Sequence, residues 1–200
     1  MDAFIPDQEE VQNFAVAVLV TAAGLIAFYR EFAVFSVIAL FLTALTALFA
    51  RETGQRLVAQ LMKAKVKLEI SKAGIVVSLG AALVAVITDA PVLFLIPVYS
   101  TFSVLEHKQW GYDIPVIWSK REAWIAGAGA FFMLSLAGIA YLLESYVVSR
   151  SLALFCFFQM IPLKDTVLSD NTDGAYLLLQ SGFMWLLLTA LSILGIIFPL

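Results

Sequence analysis

F-A-R-E-T-G-Q-R-L-V-A, residues Phe49 to Ala59, sets two arginines, a glutamate and a glutamine where a long apolar run stops and a basic loop begins. The run before it, Phe32 to Ala50, carries no charge and has the roughly 17 to 25 residues that a membrane-crossing helix needs. Similar runs lie near 13–29, 123–143, 145–163 and 175–198. Between the second and third is an apolar stretch, Gly74 to Leu105, broken by Thr88-Asp89-Ala90-Pro91 and again by Pro97. Its arms, 74–88 and 90–105, are short for a crossing and predict a helical hairpin that dips into or just crosses the membrane. The expected fold is an all-α, multi-pass helical bundle of five long spans plus this hairpin, forming one integral membrane domain over residues 1–200.

Composition agrees. The chain is 62% hydrophobic and 14% charged with a mean hydropathy of +0.96, outside the range of a water-soluble domain. A net charge of −3, with twelve Lys and Arg dispersed among loops, forms no basic patch and excludes nucleic acid as a partner. The single cysteine, Cys156, excludes an intramolecular disulfide and a Cys-rich metal site, and reads as a small apolar packing residue. M-D-A-F-I-P-D-Q-E-E at the N-terminus is acidic, unlike the positive opening of a cleaved secretory signal.

Lys and Arg near helix ends mark the cytoplasmic side. Arg51, Arg56, Lys63, Lys65, Lys67 and Lys72 follow the second run, Lys108, Lys120 and Arg121 precede the third long one, and Lys164 follows the run ending at 163. With a hairpin that returns, all ten share one face and only Arg30 and Arg150 lie opposite. The expectation is a multi-pass protein with its N-terminus and basic loops in the cytoplasm and its C-terminus outside. Trp110, Tyr112, Trp118 and Trp124 suit the headgroup region. Gly74, Ser78 and Ala82, and Ala126 and Ala130 beside Gly127 and Gly129, are spaced for close helix approach.

After the polar cluster comes K-A-K-V-K-L-E-I-S. Lys63, Lys65, Lys67, Glu69 and Ser71 alternate with Ala64, Val66, Leu68 and Ile70, the period of a half-buried strand. Such a segment near 63–71 can lie on anionic headgroups, or serve as an edge strand that adds a partner peptide by main-chain hydrogen bonds.

Within the cluster, positions 51 and 55 share a helix face, as do 52 and 56. R-E-x-x-Q-R has the spacing of H-E-x-x-H-R, in which two histidines one turn apart hold zinc and the glutamate is the general base. Other segments follow in order: S-K-R-E-A-W-I-A-G-A-G-A-F-F and F-Q-M-I-P-L-K-D-T-V-L-S-D-N-T-D-G-A-Y-L-L, the latter with Gln159, Pro162 and Asp173-Gly174. Over about residues 32–180 the chain resembles the site-2 protease family of intramembrane zinc metalloproteases, particularly its short prokaryotic members. That resemblance implies a zinc motif ending a membrane helix, a membrane-associated β segment after it, an A-G-P-x-x-N helix, an N-x-x-P element and a third zinc ligand in D-G. It also implies a prokaryotic cell membrane as the location.

The departures carry the functional reading. Of three implied ligand positions only Asp173 keeps a ligand side chain, because Arg51 is a cation and Gln55 a poor zinc ligand. Without metal there is no activated water, and Glu52 is a base without its nucleophile. Arg51, Glu52, Gln55, Gln159 and Asp173 are therefore expected to be vestigial, with no metal or other cofactor bound, zinc being the cofactor only if catalysis persists. Arg51 is expected to take the vacated metal position and pair with Asp173, and Arg56 to pair locally with Glu52 four residues back. A plainer alternative puts all four polar residues in the headgroup region, where they merely end the helix.

Other chemistry has little support in the residues. His107, the only histidine, sits between Glu106 and Lys108 and reads as solvated surface. Asp165, Asp170 and Asp173 fall in one short loop, with Asp89 on the opposite side, whereas an aspartyl protease needs two carboxylates from separate helices. No Ser-His pair has a plausible membrane geometry. The expected function is that of a catalytically inactive protease-like protein binding transmembrane or membrane-proximal segments of other proteins, with the strand residues Lys63, Lys65, Lys67 and Glu69 contributing. The alternatives are an active metalloprotease with an atypical site, and a small transporter or channel subunit, for which the broken hairpin with Asp89 is the one sign.

Overall fold

A computed structural model describes residues 6–104, 114–163 and 172–198. In chain order the elements are α1 (Gln8–Tyr29), α2 (Val34–Leu61), β1 (Ala64–Ile70), α3 (Lys72–Thr88), β2 (Val98–Val104), α4 (Ile114–Leu142), α5 (Tyr146–Met160), α6 (Asp173–Gln180) and α7 (Gly182–Ile197). The described residues are mostly helical, with one small antiparallel sheet, and among them three helices, α1, α2 and the Arg121–Leu142 part of α4, are long and apolar enough to cross a membrane.

The second apolar run does not end at the polar cluster. α2 continues through Arg51 to Leu61, so the four polar residues lie inside a helix of 28 residues. Arg, Glu and Gln are good helix formers, and only Gly54 weakens the stretch. Gly54 is required by packing: a Cβ there would stand 2.7 Å from the Ala128 carbonyl oxygen of α4. On the facing helix, a Cβ at Gly129 would come within 3.0 Å of Gln55 Cγ and 3.1 Å of Arg51 Cγ. Small residues on both sides thus let α4 close over the polar turn of α2.

The last two runs are also divided differently from the expectation. The run at 145–163 yields α5, which has 15 residues and stops at Met160 because Ile161 precedes Pro162 and is extended. The run at 175–198 is two helices broken at Ser181, whose backbone is not helical (φ −154°, ψ 75°). Helices of 15 and 16 residues rise about 22 to 24 Å, short of a hydrocarbon core of about 30 Å.

The hairpin at 74–105 is corrected most. Its first arm is α3, capped by Ser71, whose hydroxyl accepts from the Gly74 N–H. Its second arm is not helical: residues 90–97 have no regular structure and lead into β2. Pro91 and Pro97 cannot sit in a helix interior, and each removes an N–H that an extended segment would otherwise have to satisfy. α3 lies beside α1 and parallel to it, since the Leu68 amide just before α3 meets Glu10 near the start of α1, while Asp89 after α3 pairs with Arg30 after α1 at 3.1 Å. The return from Asp89 to β2 therefore covers the length of α3 as extended chain. Irregular backbone at such depth must be enclosed by protein. Leu95, Ile96 and Val98 are buried, Phe94 stacks edge to face on Phe158 of α5, and Leu95 and Leu93 fill the notch left by Gly24 of α1.

β1 and β2 pair from Ala64↔Val104 to Ile70↔Val98. Ala64, Val66 and Leu68 point inward and the residues between them are partly exposed, the alternation of a one-sided sheet. The main apolar cluster includes Leu25, Leu48, Met133, Phe155 and Leu177 of the helices and Leu95 of the extended segment, and a smaller one gathers Ala59, Ala64, Val66 and Ile125 beneath the sheet.

Candidate functional site

Arg51, Glu52, Gln55 and Arg56 occupy successive turns of α2, and Asp173 is the first residue of α6. Arg51 and Asp173 are both 0% exposed. Arg51 Nε donates to Asp173 Oδ2 and Nη2 donates to Oδ1, each at 2.9 Å, a bidentate fork that matches the planar guanidinium to the carboxylate. The amide of Gln55, one turn on, donates to the same Oδ2 at 3.0 Å, and its carbonyl accepts from the Ser100 hydroxyl of β2 at 2.7 Å. Arg51 Nη1 donates to Glu52 Oε1 at 2.8 Å. Two charges removed from water together are tolerable only when paired and hydrogen-bonded on all sides, as here.

Asp173 is held by local structure. Thr172 caps α6, its hydroxyl accepting from the Ala175 N–H and from the Leu163 N–H, while its own N–H donates to the Leu163 carbonyl. At Gly174 a Cβ would strike the Met160 carbonyl, so the D-G pair lets α6 start against the end of α5. The first turn of a helix also favours a carboxylate through its unpaired N–H groups.

The network extends to a residue that sequence reasoning missed. Arg56 Nη2 donates to Glu10 Oε1 at 2.9 Å, whereas its contact with Glu52, Nε to Oε2, is 3.5 Å. The closer partner of Arg56 is thus on α1, not one turn back on α2. Glu10 completes a capping box with Asp7, a D-x-x-E pattern legible in the sequence, but its reach to Arg56 depends on how α1 packs. Glu10, Arg56, Glu52, Arg51 and Asp173 form an alternating chain of charge across α1, α2 and α6.

The basic strand is less open than an edge strand. One side of β1 pairs with β2, and on the other the Leu68 N–H donates to Glu10 while its carbonyl accepts from Asn13, at 3.0 and 3.2 Å. A peptide cannot pair with β1 at Leu68 without displacing α1. Glu69 accepts from Tyr99 and Thr101 of β2, Lys67 donates to Glu9 at 3.0 Å, and Lys63 takes the turn into β1 with φ 54°. The Glu9 carboxylate holds the exposed Lys67 amine above its ordinary pKa by hydrogen bond and charge. Lys65 is half-buried on the same face as Lys67.

Gln159 is buried on α5, and neither atom of its amide has a hydrogen-bond partner among the described residues. His107, Trp110, Tyr112, Asp165 and Asp170 lie outside the described residues, as do the side chains of Trp118 and Lys120.

The donor set at Asp173 does not suit zinc. Both carboxylate oxygens are engaged by N–H donors of Arg51 and Gln55, and a fixed guanidinium charge, which repels a cation, stands against them. Among the described residues no three His, Cys, Asp or Glu side chains come together as a metal group. The chain matches no protein-family model, no curated protein and no solved structure.

Proposed function

We propose that the chain is a multi-pass membrane protein related to the site-2 proteases in which an ion pair has replaced the metal, leaving a non-catalytic core that binds membrane segments of other proteins. The observation that carries this reading is the bidentate Arg51–Asp173 pair, closed by Gln55, at the three positions the resemblance assigns to zinc. Three of the about four lone-pair sites of this carboxylate are taken by N–H donors and a guanidinium lies against it, so a metal would have to displace them, and without a metal Glu52 has no metal-bound water to activate. With β1 covered by β2 and, at Leu68, by α1, the sheet edge that a partner segment would join is that of β2. The topology that goes with this reading has the N-terminus and the Lys63–Lys72 region in the cytoplasm of a prokaryotic cell.

Metal analysis of the purified protein is the first test, with site-specific photocrosslinkers on β2 and α2 as the second. Substoichiometric zinc with discrete membrane-protein adducts is expected. Near-stoichiometric zinc, or cleavage of a membrane substrate lost on Glu52→Gln, would overturn the reading.

A second reading has one observation in its favour. The alternating chain from Glu10 to Asp173 resembles the ionisable relays of proton-coupled transporters. Flux across proteoliposomes that is abolished by Asp173→Asn would favour it.

A further inference from the structure

We propose that the buried charge network binds one proton and carries it on Glu52 Oε2. Three carboxylates, of Glu10, Glu52 and Asp173, face two guanidiniums, of Arg51 and Arg56, and none of the five side chains is more than 10% exposed. Among the described residues, charge reaches Glu52 from the other four: Arg51 and Arg56 on its own helix, Glu10 on α1 and Asp173 on α6. With every acid ionised, three negative and two positive charges leave the cluster at −1. An unbalanced charge out of water is costly, and one bound proton removes it.

Hydrogen-bond donors decide which acid holds that proton. Glu10 accepts three N–H bonds, from Arg56 Nη2 and the Leu68 amide at Oε1 and from the Asp7 amide at Oε2, over 2.9 to 3.1 Å. Asp173 also accepts three, two from Arg51 and one from Gln55. Glu52 accepts one, from Arg51 Nη1 at Oε1. Donors favour the ionised form of a carboxyl group, so Glu10 and Asp173 keep their charges and Glu52 takes the proton.

The two oxygens of Glu52 differ in the same sense. Oε1 serves Arg51 as an acceptor, the role of the carbonyl oxygen in a neutral acid. Oε2 is buried without a hydrogen-bond partner, and Arg56 Nε stands 3.5 Å from it, beyond the usual length of such a bond. A hydroxyl oxygen needs no N–H donor there, whereas an ionised one does. Glu10 and Glu52 also approach one edge of Arg56, at Nη2 and Nε, where two ionised carboxylates would repel each other. Oε2 is too enclosed for a water or a metal ion to reach, which leaves a proton as the ligand it can take.

The test is infrared spectroscopy of the full chain at neutral pH in a maltoside detergent, which has no ester carbonyl of its own. Glutamate labelled with carbon-13 at the side-chain carboxyl separates protonated Glu from Asp by the isotope shift. One protonated-Glu carbonyl band per chain is expected, present in wild type, kept in the exposed control Glu9→Gln and lost in Glu52→Gln. Glutamine matches the neutral acid in shape and charge, so Glu52→Gln should also melt within about 2 °C of wild type. No such band in wild type, a band of unchanged intensity in Glu52→Gln, or a Glu52→Gln chain that unfolds or melts far lower would each overturn the proposal. The outcome is independent of zinc content and of partner crosslinking, so it stands or falls apart from the partner-binding reading.

Discussion

Arg51 and Asp173, 122 positions apart in the chain, meet through two parallel hydrogen bonds of 2.9 Å with no solvent exposure on either side. This contact joins α2 to α6, and Gln55 and Ser100 extend it to β2. Three segments of the chain that share no local sequence relationship are therefore fixed on one carboxylate and its donors.

Arg51→Ala leaves the Asp173 carboxylate buried beside a single neutral donor, and is expected to cost about 3 to 5 kcal/mol. Asp173→Ala should cost a similar amount, because it leaves Arg51 Nε and Nη2 without their acceptor, with Glu52 held only at Nη1. The double variant should lose clearly less than the sum of the two, with a coupling of about 1 to 3 kcal/mol in thermal or denaturant melts of the detergent-solubilised protein. Simple additivity would show that the pair does not act as a unit.

Arg51 and Gln55 already reach the same carboxylate, so histidines at both positions should assemble a three-ligand site. Arg51→His with Gln55→His is expected to raise bound zinc from a trace toward one ion per chain. Adding Asp173→Asn in that background should remove it again. Zinc measured by plasma mass spectrometry decides, and a double variant that folds but binds no metal counts against the descent from a zinc site.

Gly174 and Gly138 provide a matched comparison. A Cβ at Gly174 meets the Met160 carbonyl, whereas one at Gly138 meets nothing within 4 Å. Gly174→Ala should destabilise by about 1 to 3 kcal/mol through backbone displacement that also moves Asp173. Gly138→Ala should be neutral or stabilise by about 0.5 to 1 kcal/mol. Equal melting temperatures for the two variants would mean that α6 does not need its close approach to α5.

Glu10→Ala removes an acceptor shared by the Arg56 guanidinium and the Leu68 amide. It should destabilise by about 2 to 3 kcal/mol, the scale of leaving buried donors unmet. Hydrogen exchange provides the local reading: the Leu68 amide should exchange faster, while the Lys67 amide changes little. Unchanged protection at Leu68 would place the bond to Glu10 outside the native state.

Legibility differed between the site's residues for a physical reason. Arg51 and Glu52 stood out because charges closing an apolar run are costly, and Gln55 and Asp173 because the R-E-x-x-Q-R spacing and the D-G pair fit the resemblance. Glu10 was hidden because an acidic residue in a first helical turn already has a local explanation, the capping box with Asp7. Ser100 and Thr172 were hidden as ordinary hydroxyl residues, although T-D-G has the form of a helix start.

By itself the sequence determined that this chain is mostly helical and too apolar for water, because helix-length apolar runs and the period-two alternation at 63–71 are local properties that burial alone dictates. Tertiary structure decided three things. It decided that α2 runs on past Arg51, because Asp173 and Gly129 provide that turn with a partner and space that no neighbour in sequence could. It decided that 90–97 returns as extended chain, because the Gly24 notch and Phe158 enclose it. It also closed β1 at Leu68 through Glu10 and Asn13. Each of these depends on a partner more than 50 positions away in the chain, and the energy of such a contact is not written in either segment alone.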